Sequence, residues 1–210
     1  MSQSLAWELP AVWRWAVDRA RSEPASALAL AEFDEPALVE ASLAGTPGAF
    51  DVIVERHRRG VYQLCYRFVG NHEDASDLSQ DVFLRAYRGL RSFRGQSSIA
   101  TWLYRIGVNV CLNRVSAKRL ESESIEEREF VDEQSESASD RLLKGERAAR
   151  VRAAVAQLPP KQRAALVLRM YHDMSHQEIA DVLGSSVGAV KANFFHALGN
   201  LKKLLNHEAL

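Results

Sequence analysis

Between positions 75 and 90 the apolar residues fall at Ala75, Leu78, Val82, Ala86 and Leu90, in steps of three and four. Only an α-helix returns such positions to one face, so this stretch is predicted to be an amphipathic helix. Asn71, with Asp74 three residues on, supplies the capping oxygens for its start. Residues 93–98 (FRGQSS) break the pattern with glycine and small polar side chains. A second helix is expected over 99–119, with Ile99, Trp102, Leu103, Ile106, Val110 and Leu112 inward and Thr101, Arg105, Asn109, Asn113 and Arg114 outward. Upstream, the same spacing predicts helices over 36–45 (Leu38, Val39, Ser42, Leu43) and 47–69 (Phe50, Ile53, Val54, Val61, Leu64, Cys65, Phe68). Gly45 and Gly70 stop them. No stretch alternates with a period of two, so the fold class is all-α.

Charge is segregated along the same stretch. Residues 73–84 hold four carboxylates (Glu73, Asp74, Asp77, Asp81) and no base, whereas residues 85–119 hold eight bases and no acid. Tyr87, Phe93, Trp102 and Tyr104 lie inside the basic run. Acid first, then base with aromatics, points to two partners: a protein on the acidic helix, and a nucleic acid whose bases stack on the rings. The outward Thr, Arg and Asn row has the donors and acceptors to reach base edges or phosphates. Acids at a helix start also favour the macrodipole, and polar rows are commonly solvated faces. The net charge of zero conceals this segregation.

From 120 to 146 the composition changes to ten acids against three bases, rich in serine and poor in apolar residues. That composition predicts a flexible linker at least to residue 139, dividing the chain into two domains. Its negative charge is expected to screen basic surfaces elsewhere. Beyond it, residues 147–158 read as a helix ended by Pro159 and Pro160. Residues 161–171 read as the next, with Ala165, Leu166, Leu168 and Met170 on its apolar side. Ser175 and Glu178 form a capping box. Ile179, Ala180 and Leu183 turn inward, Gly184 makes a tight turn, and Ser185 or Ser186 caps a helix with Val187, Val190 and Phe194 inward. This is the pattern of a helix-turn-helix, with small Ala180 where the two helices cross. From 182 to 207 there is no acid, while Lys191, Lys202 and Lys203 are present.

Other chemistries find little support. Cys65 and Cys111 lie in apolar patterns, as buried reduced thiols would, and no CxxC pair accompanies them. His172 and His176 lie four apart but straddle a helix start without a third ligand, so no metal or cofactor is expected. No catalytic constellation is visible, and an enzyme is not expected. No apolar run approaches a membrane span, and the first residues lack a signal-peptide pattern, so a cytoplasmic protein without membrane insertion is expected. Residues 1–33 carry Trp7, Trp13 and Trp15 at one short amphipathic helix candidate, with Pro10 near its start and Pro24 at its end. It suits either packing on its own domain or anchoring to a partner.

DLSQDVFLRAYRGLRSFRG (77–95) followed by TWLYRIGVNVCLNRV (101–115) resembles region 2 of the extracytoplasmic-function (group 4) sigma factors of the sigma-70 family. Residues 158–198, LPPKQRAALVLRMYHDMSHQEIADVLGSSVGAVKANFFHAL, resemble their region 4. The resemblance implies a region 2 helical bundle over 34–119, the acidic linker over 120–146 and a region 4 helix-turn-helix over 147–210, after an N-terminal extension over 1–33. It implies an alternative sigma factor that binds core RNA polymerase, at the clamp helices of the largest subunit and at the flap. Such a factor recognises −35 and −10 promoter elements, melts the DNA and starts transcription of a stress or signal regulon. By motif position, Asp74, Asp77, Leu78, Gln80, Asp81 and Phe83 would bind core polymerase. Phe93, Arg94, Gln96, Ser97, Thr101, Trp102, Arg105, Asn109 and Asn113 would bind the −10 element, with a flipped base at the 93–98 loop. Ser185, Ser186, Gly188, Lys191, Asn193, Phe194 and His196 would bind the −35 element. An anti-sigma factor, often membrane-anchored in the family, is the further partner implied. Ala192 and Asn193 stand where many relatives have Ser-Arg, and His196, Ala197 and Gly199 where they often have Arg-Ala-Arg. Asn193 or His196 would then take over the groove contacts with a different base preference. A free-standing dimeric helix-turn-helix regulator, or a signalling adaptor that sequesters another regulator, would leave the features of 74–119 unexplained.

Overall fold

The structure, a computed structural model, describes residues 29–122 and 139–207. The tryptophan-rich stretch before residue 29, and the linker residues 123–138, lie outside the described residues. The fold is all-α, with no strand among the described residues. Before the acidic linker come α1 (Glu35–Leu43), α2 (Ala49–Val69), α3 (His72–Gly89), a 3-10 turn (Leu90–Ser92) and α4 (Ile99–Ser122). After it come α5 (Ser139–Gln157), α6 (Pro160–Tyr171), α7 (His176–Leu183) and α8 (Val187–His207). Two helical domains are thus joined by the acidic segment.

The helix ends follow local chemistry. Asp34 caps α1, its Oδ1 accepting from the Ala37 N–H at 2.9 Å. Gly45 and Gly70 stop α1 and α2 at φ +80° each, a left-handed conformation that glycine adopts without a Cβ penalty. Asn71 caps α3, accepting from the Asp74 N–H at 2.8 Å.

Backbone proximity groups the molecule into two compact units. The first contains α1, residues 49–58 of α2 and residues 87–96. Leu38, Val39, Ala49, Ile53, Val54 and Leu90 are buried in it. The Arg56 guanidinium donates to the carbonyls of Ala31 at 2.6 Å and Phe33 at 2.7 Å, pinning the strand of chain that leads into α1. Phe50 meets the Tyr87 ring edge-on at 5.1 Å. Leu43, expected inward, is exposed. It closes the last turn of a helix only nine residues long, and Leu38 and Val39 supply that helix's buried side chains.

The second unit holds residues 59–86 and everything from 97 onward. Leu64, Cys65 and Phe68 of α2 lie buried with Val82 and Ala86 of α3 and Leu103, Val108 and Cys111 of α4. A Cβ at Gly107 would stand 2.8 Å from Leu64 Cδ2, so α2 and α4 approach closely there and any larger residue would push the Leu64 side chain aside. Both cysteines are free and buried. Their mutual hydrogen bond and burial push the Cys111 thiol pKa far up, leaving it protonated and unreactive.

Helix α6 is covered on nearly every side: Ala164, Ala165, Leu166, Val167 and Leu168 are all buried, with α7 and α8 packed on it. Two expectations are corrected here. Met170 is 58% exposed. The chain leaves the helix at Tyr171 and turns through Asp173 at φ +51°, so buried Met174 takes the apolar place instead. Arg163, which no apolar pattern singled out, is 6% exposed.

Candidate nucleic-acid and protein interface

Three polar surfaces stand on this scaffold. The first is on α3. Asp77, Gln80, Asp81 and Leu84 recur at three- and four-residue steps and form one ridge. Asp77 is exposed and Asp81 half-exposed. Asp81 accepts from Arg85 Nε at 3.0 Å to both carboxylate oxygens, and from Nη2 at 2.9 Å. An exposed pair of this kind is worth only about 0.3–0.5 kcal/mol, so Asp81 is easily transferred to another cation. Asp74 is engaged differently. It accepts from Asn71 Nδ2 at 2.9 Å and from Arg114 Nη2 of α4 at 2.9 Å, so it ties α3 to α4. Leu78 is half-buried. Phe83 is 3% exposed and offers no contact area of its own; it anchors the helix from the core side. Leu84, 55% exposed beside Asp81, was not singled out from the sequence. Its one signal was that it lies outside the apolar repeat.

The second surface is on α4. Arg105, Asn109 and Asn113 are exposed at four-residue steps, and Trp102 is half-buried one turn before them. Thr101 is corrected from outward to buried, at 7% exposure. Its hydroxyl bonds to Ser98 Oγ at 2.9 Å, and Ser98 Oγ accepts the Thr101 N–H at 3.1 Å. The hydroxyl needed for the cap is therefore committed at the start of α4. Ser97 is half-buried beside it. In the other unit, Phe93 is half-buried, Arg94 and Gln96 are exposed, and Gly95 between them has φ +67°.

The third surface is the helix-turn-helix. Ser175 Oγ accepts the Glu178 N–H at 3.2 Å and Glu178 Oε2 accepts the Ser175 N–H at 2.7 Å, closing the capping box. The hydrogen bonds from Ser175 hold the Glu178 carboxyl below its usual range. Gly184 follows at φ 56°, ψ 44°, the left-handed turn between the helices. Ser186 rather than Ser185 caps α8, accepting the Ala189 N–H at 3.2 Å. Ser185, Ser186, Gly188, Lys191 and His196 are exposed, and Asn193 is half-buried. Phe194 is also half-buried, with its ring edge-on to His176 of α7 at 5.9 Å. The outward ring on α8 is its neighbour Phe195, 74% exposed, which sequence reasoning missed. Two adjacent phenylalanines on a helix point about 100° apart, and only packing decides which one faces out.

No helix among the described residues is long and apolar enough to cross a membrane.

Residues 53–121 match the family model for sigma-70 region 2, and residues 148–201 the model for sigma-70 region 4. The RNA polymerase sigma-H factor of Pseudomonas aeruginosa is 35% identical over 185 residues, covering 84% of this chain and 96% of that protein. The ECF RNA polymerase sigma factor SigM of Mycobacterium tuberculosis is 35% identical over 177 residues, covering 84% and 87%. Among solved structures, CnrH in complex with the cytosolic domain of CnrY aligns with a TM-score of 0.61 at 26% identity, covering 82% of this chain and 97% of that one. The order of the surfaces along the chain, the helix-turn-helix and these matches agree: the chain belongs to the sigma-70 family, among the extracytoplasmic-function RNA polymerase sigma factors.

Proposed function

We propose that this chain is an alternative sigma factor that binds core RNA polymerase, recognises −35 and −10 promoter elements, melts DNA and initiates transcription of a stress or signal regulon. Its partners are core RNA polymerase, promoter DNA and an anti-sigma factor. The observation that carries this reading is the coexistence in one chain of an exposed acidic ridge on α3, a polar row on α4 and a helix-turn-helix at α7 and α8. A duplex-binding repressor needs only the last. The chain acts as an initiation factor in the cytoplasm, the catalysis residing in the polymerase it joins.

In this reading residues 34–119 act as region 2 and residues 147–210 as region 4. Asp77, Gln80, Asp81 and Leu84 form the surface for core polymerase, with Asp74, Leu78 and Phe83 holding the helix in place. Trp102, Arg105, Asn109 and Asn113 grip the −10 strand by stacking, phosphate contact and base-edge hydrogen bonds, and Thr101 presets the start of that helix through its cap. Phe93, Arg94, Gln96 and Ser97 serve a base extruded from the stack. Ser185, Ser186, Gly188, Lys191, Asn193 and His196 reach the −35 duplex, with Phe195 added to them and Phe194 supporting.

Run-off transcription over the promoters of the source genome with core polymerase tests the reading; no initiation at any of them overturns it. Within it, Asn109→Ala is expected to reduce open-complex formation about tenfold, the worth of one base-edge contact. Core affinity should stay within about twofold of wild type, because the Asn109 side chain is exposed and belongs to α4, not to the α3 ridge. Permanganate reactivity of the melted strand reads the first quantity and fluorescence anisotropy the second. Equal losses in both would assign Asn109 to core binding instead.

A further inference from the structure

Helix α1 buries only Leu38 and Val39. On its outer side Pro36, Glu40 and Leu43 recur at steps of four and three, and Phe33 stands just ahead of the Asp34 cap. All four are exposed, Phe33 at 40% and Leu43 at 44%. Two large apolar side chains and a proline thus face solvent around a single carboxylate.

We propose that this face is the docking site of the chain's own residues 10–22, laid antiparallel along α1. In the sequence, Trp13, Ala16, Val17 and Ala20 fall at i, i+3, i+4 and i+7, one apolar stripe of a helix that Pro10 can start and Pro24 ends. A helix over 10–22 is only about 20 Å long, a length that is marginal in water unless its apolar stripe is covered. The tether keeps the segment beside α1. Leu30 is buried, and a Cβ at Gly48 would meet its Cδ1 at 3.7 Å. Arg56 holds the Ala31 and Phe33 carbonyls. The chain is therefore fixed from residue 30 onward, and the residues between 22 and 30 span at most about 28 Å. A tether of that length sets a local concentration on the order of mM, so even a weak face is occupied. A connection this short also favours antiparallel neighbours.

Charge selects the same pairing. Residues 29–51 hold five acids (Glu32, Asp34, Glu35, Glu40 and Asp51) and no base, whereas residues 10–22 hold Arg14, Arg19 and Arg21 against Asp18 alone. Asp34 is engaged in its cap, and Glu35 lies 2.9 Å from His57. Glu32 and Glu40 are exposed, one before α1 and one in its second half. Arg14 and Arg21 stand two helical turns apart on one flank of the Trp13 stripe. Laid antiparallel, Arg14 meets Glu40 and Arg21 meets Glu32. Trp13 then covers Leu43, and the small Ala20 leaves room for Phe33. Residues 10–22 become part of the first unit, and the tryptophan of the stripe serves the chain itself rather than a partner.

The test is hydrogen exchange in the full chain without any partner. Amides of residues 11–22 should exchange at least about tenfold slower than random-coil rates. Phe33→Asp/Leu43→Asp, which spoils the face at two exposed positions, should return them to fast exchange while circular dichroism shows the other helices retained. Arg14→Glu alone and Glu40→Arg alone should each speed the exchange, and Arg14→Glu/Glu40→Arg together should slow it again. Fast exchange of 11–22 in the wild type overturns the docking, and so does slow exchange that survives Phe33→Asp/Leu43→Asp. Protection that fades on dilution would give the segment to a second copy, and protection that arises only with added core polymerase would give it to the polymerase; either overturns docking within the chain. A double charge reversal as fast as its parents overturns the antiparallel register.

Discussion

Replacing both Asp77 and Asp81 by lysine is expected to weaken binding to core RNA polymerase at least about a hundredfold while leaving the fold intact. The two carboxylates sit on the exposed ridge of α3 with Gln80 and Leu84 between and beside them. Reversal changes the ridge by four charge units, and a partner surface complementary to the two carboxylates would then meet like charge, which costs several kcal/mol. Folding should change little. Neither residue is in the core, and the ion pair lost among the described residues is the exposed one between Asp81 and Arg85, worth a few tenths of a kcal/mol. Anisotropy titration with labelled protein measures the affinity, and a thermal melt by circular dichroism measures the fold. The wild-type affinity itself should fall with salt, since exposed charges are screened beyond about 10 Å at 0.1 M. Unchanged core affinity in the double variant would move the docking surface off this ridge.

Arg163→Ala is expected to destabilise the chain by about 3–5 kcal/mol, the largest stability effect predicted for a single side chain here. The guanidinium is almost fully buried. It donates to the carbonyls of Ala156 and Leu158 at the end of α5, the latter at 3.3 Å, and to the Phe68 carbonyl in the last turn of α2 at 2.8 Å. The last carbonyls of a helix have no intrahelical donor and carry the negative end of its dipole. One planar cation thus serves two helix ends, and its removal strands buried acceptors at about 1–3 kcal/mol each. Arg163→Lys should recover only part of the loss, because an ammonium cannot reproduce the fork. Denaturant titration of the full chain reads both variants. A loss below about 1 kcal/mol for Arg163→Ala would mean that water replaces those hydrogen bonds and that the site is not sealed.

The two parts of the chain differ in how much could be read before folding. On α3, the step pattern, the Asn71 cap and the Gly70 stop are all local, and each stands in the structure as expected. The capping box at Ser175 and the left-handed Gly184 identified the helix-turn-helix from eight or so residues, because caps and turns are decided by neighbours in sequence. Side-chain direction at helix ends was less legible. Thr101 belonged by spacing to the outward row, yet the hydroxyl of Ser98 draws it into the cap. Met170 belonged by composition to the apolar side of α6, yet the turn at Asp173 substitutes Met174. Phe194 and Phe195 are equivalent by type, and packing against His176 separates them.

The sequence by itself determined the all-α class, the caps and glycine stops at several helix ends, and the order of acidic ridge, polar row and helix-turn-helix; the start of α5 it did not, since that helix begins at Ser139 rather than at 147. It also determined the family that order belongs to. These rest on interactions within about four residues, which spacing records directly. Only the tertiary structure decided that Arg163 is a buried connector, that Phe83 faces the core and Leu84 the solvent, and that Tyr171 and His172 meet Arg67 and Tyr104. Those pairings join residues roughly 70 to 100 positions apart. Which side of a helix is buried against which distant helix depends on how the elements pack, and no local period encodes it.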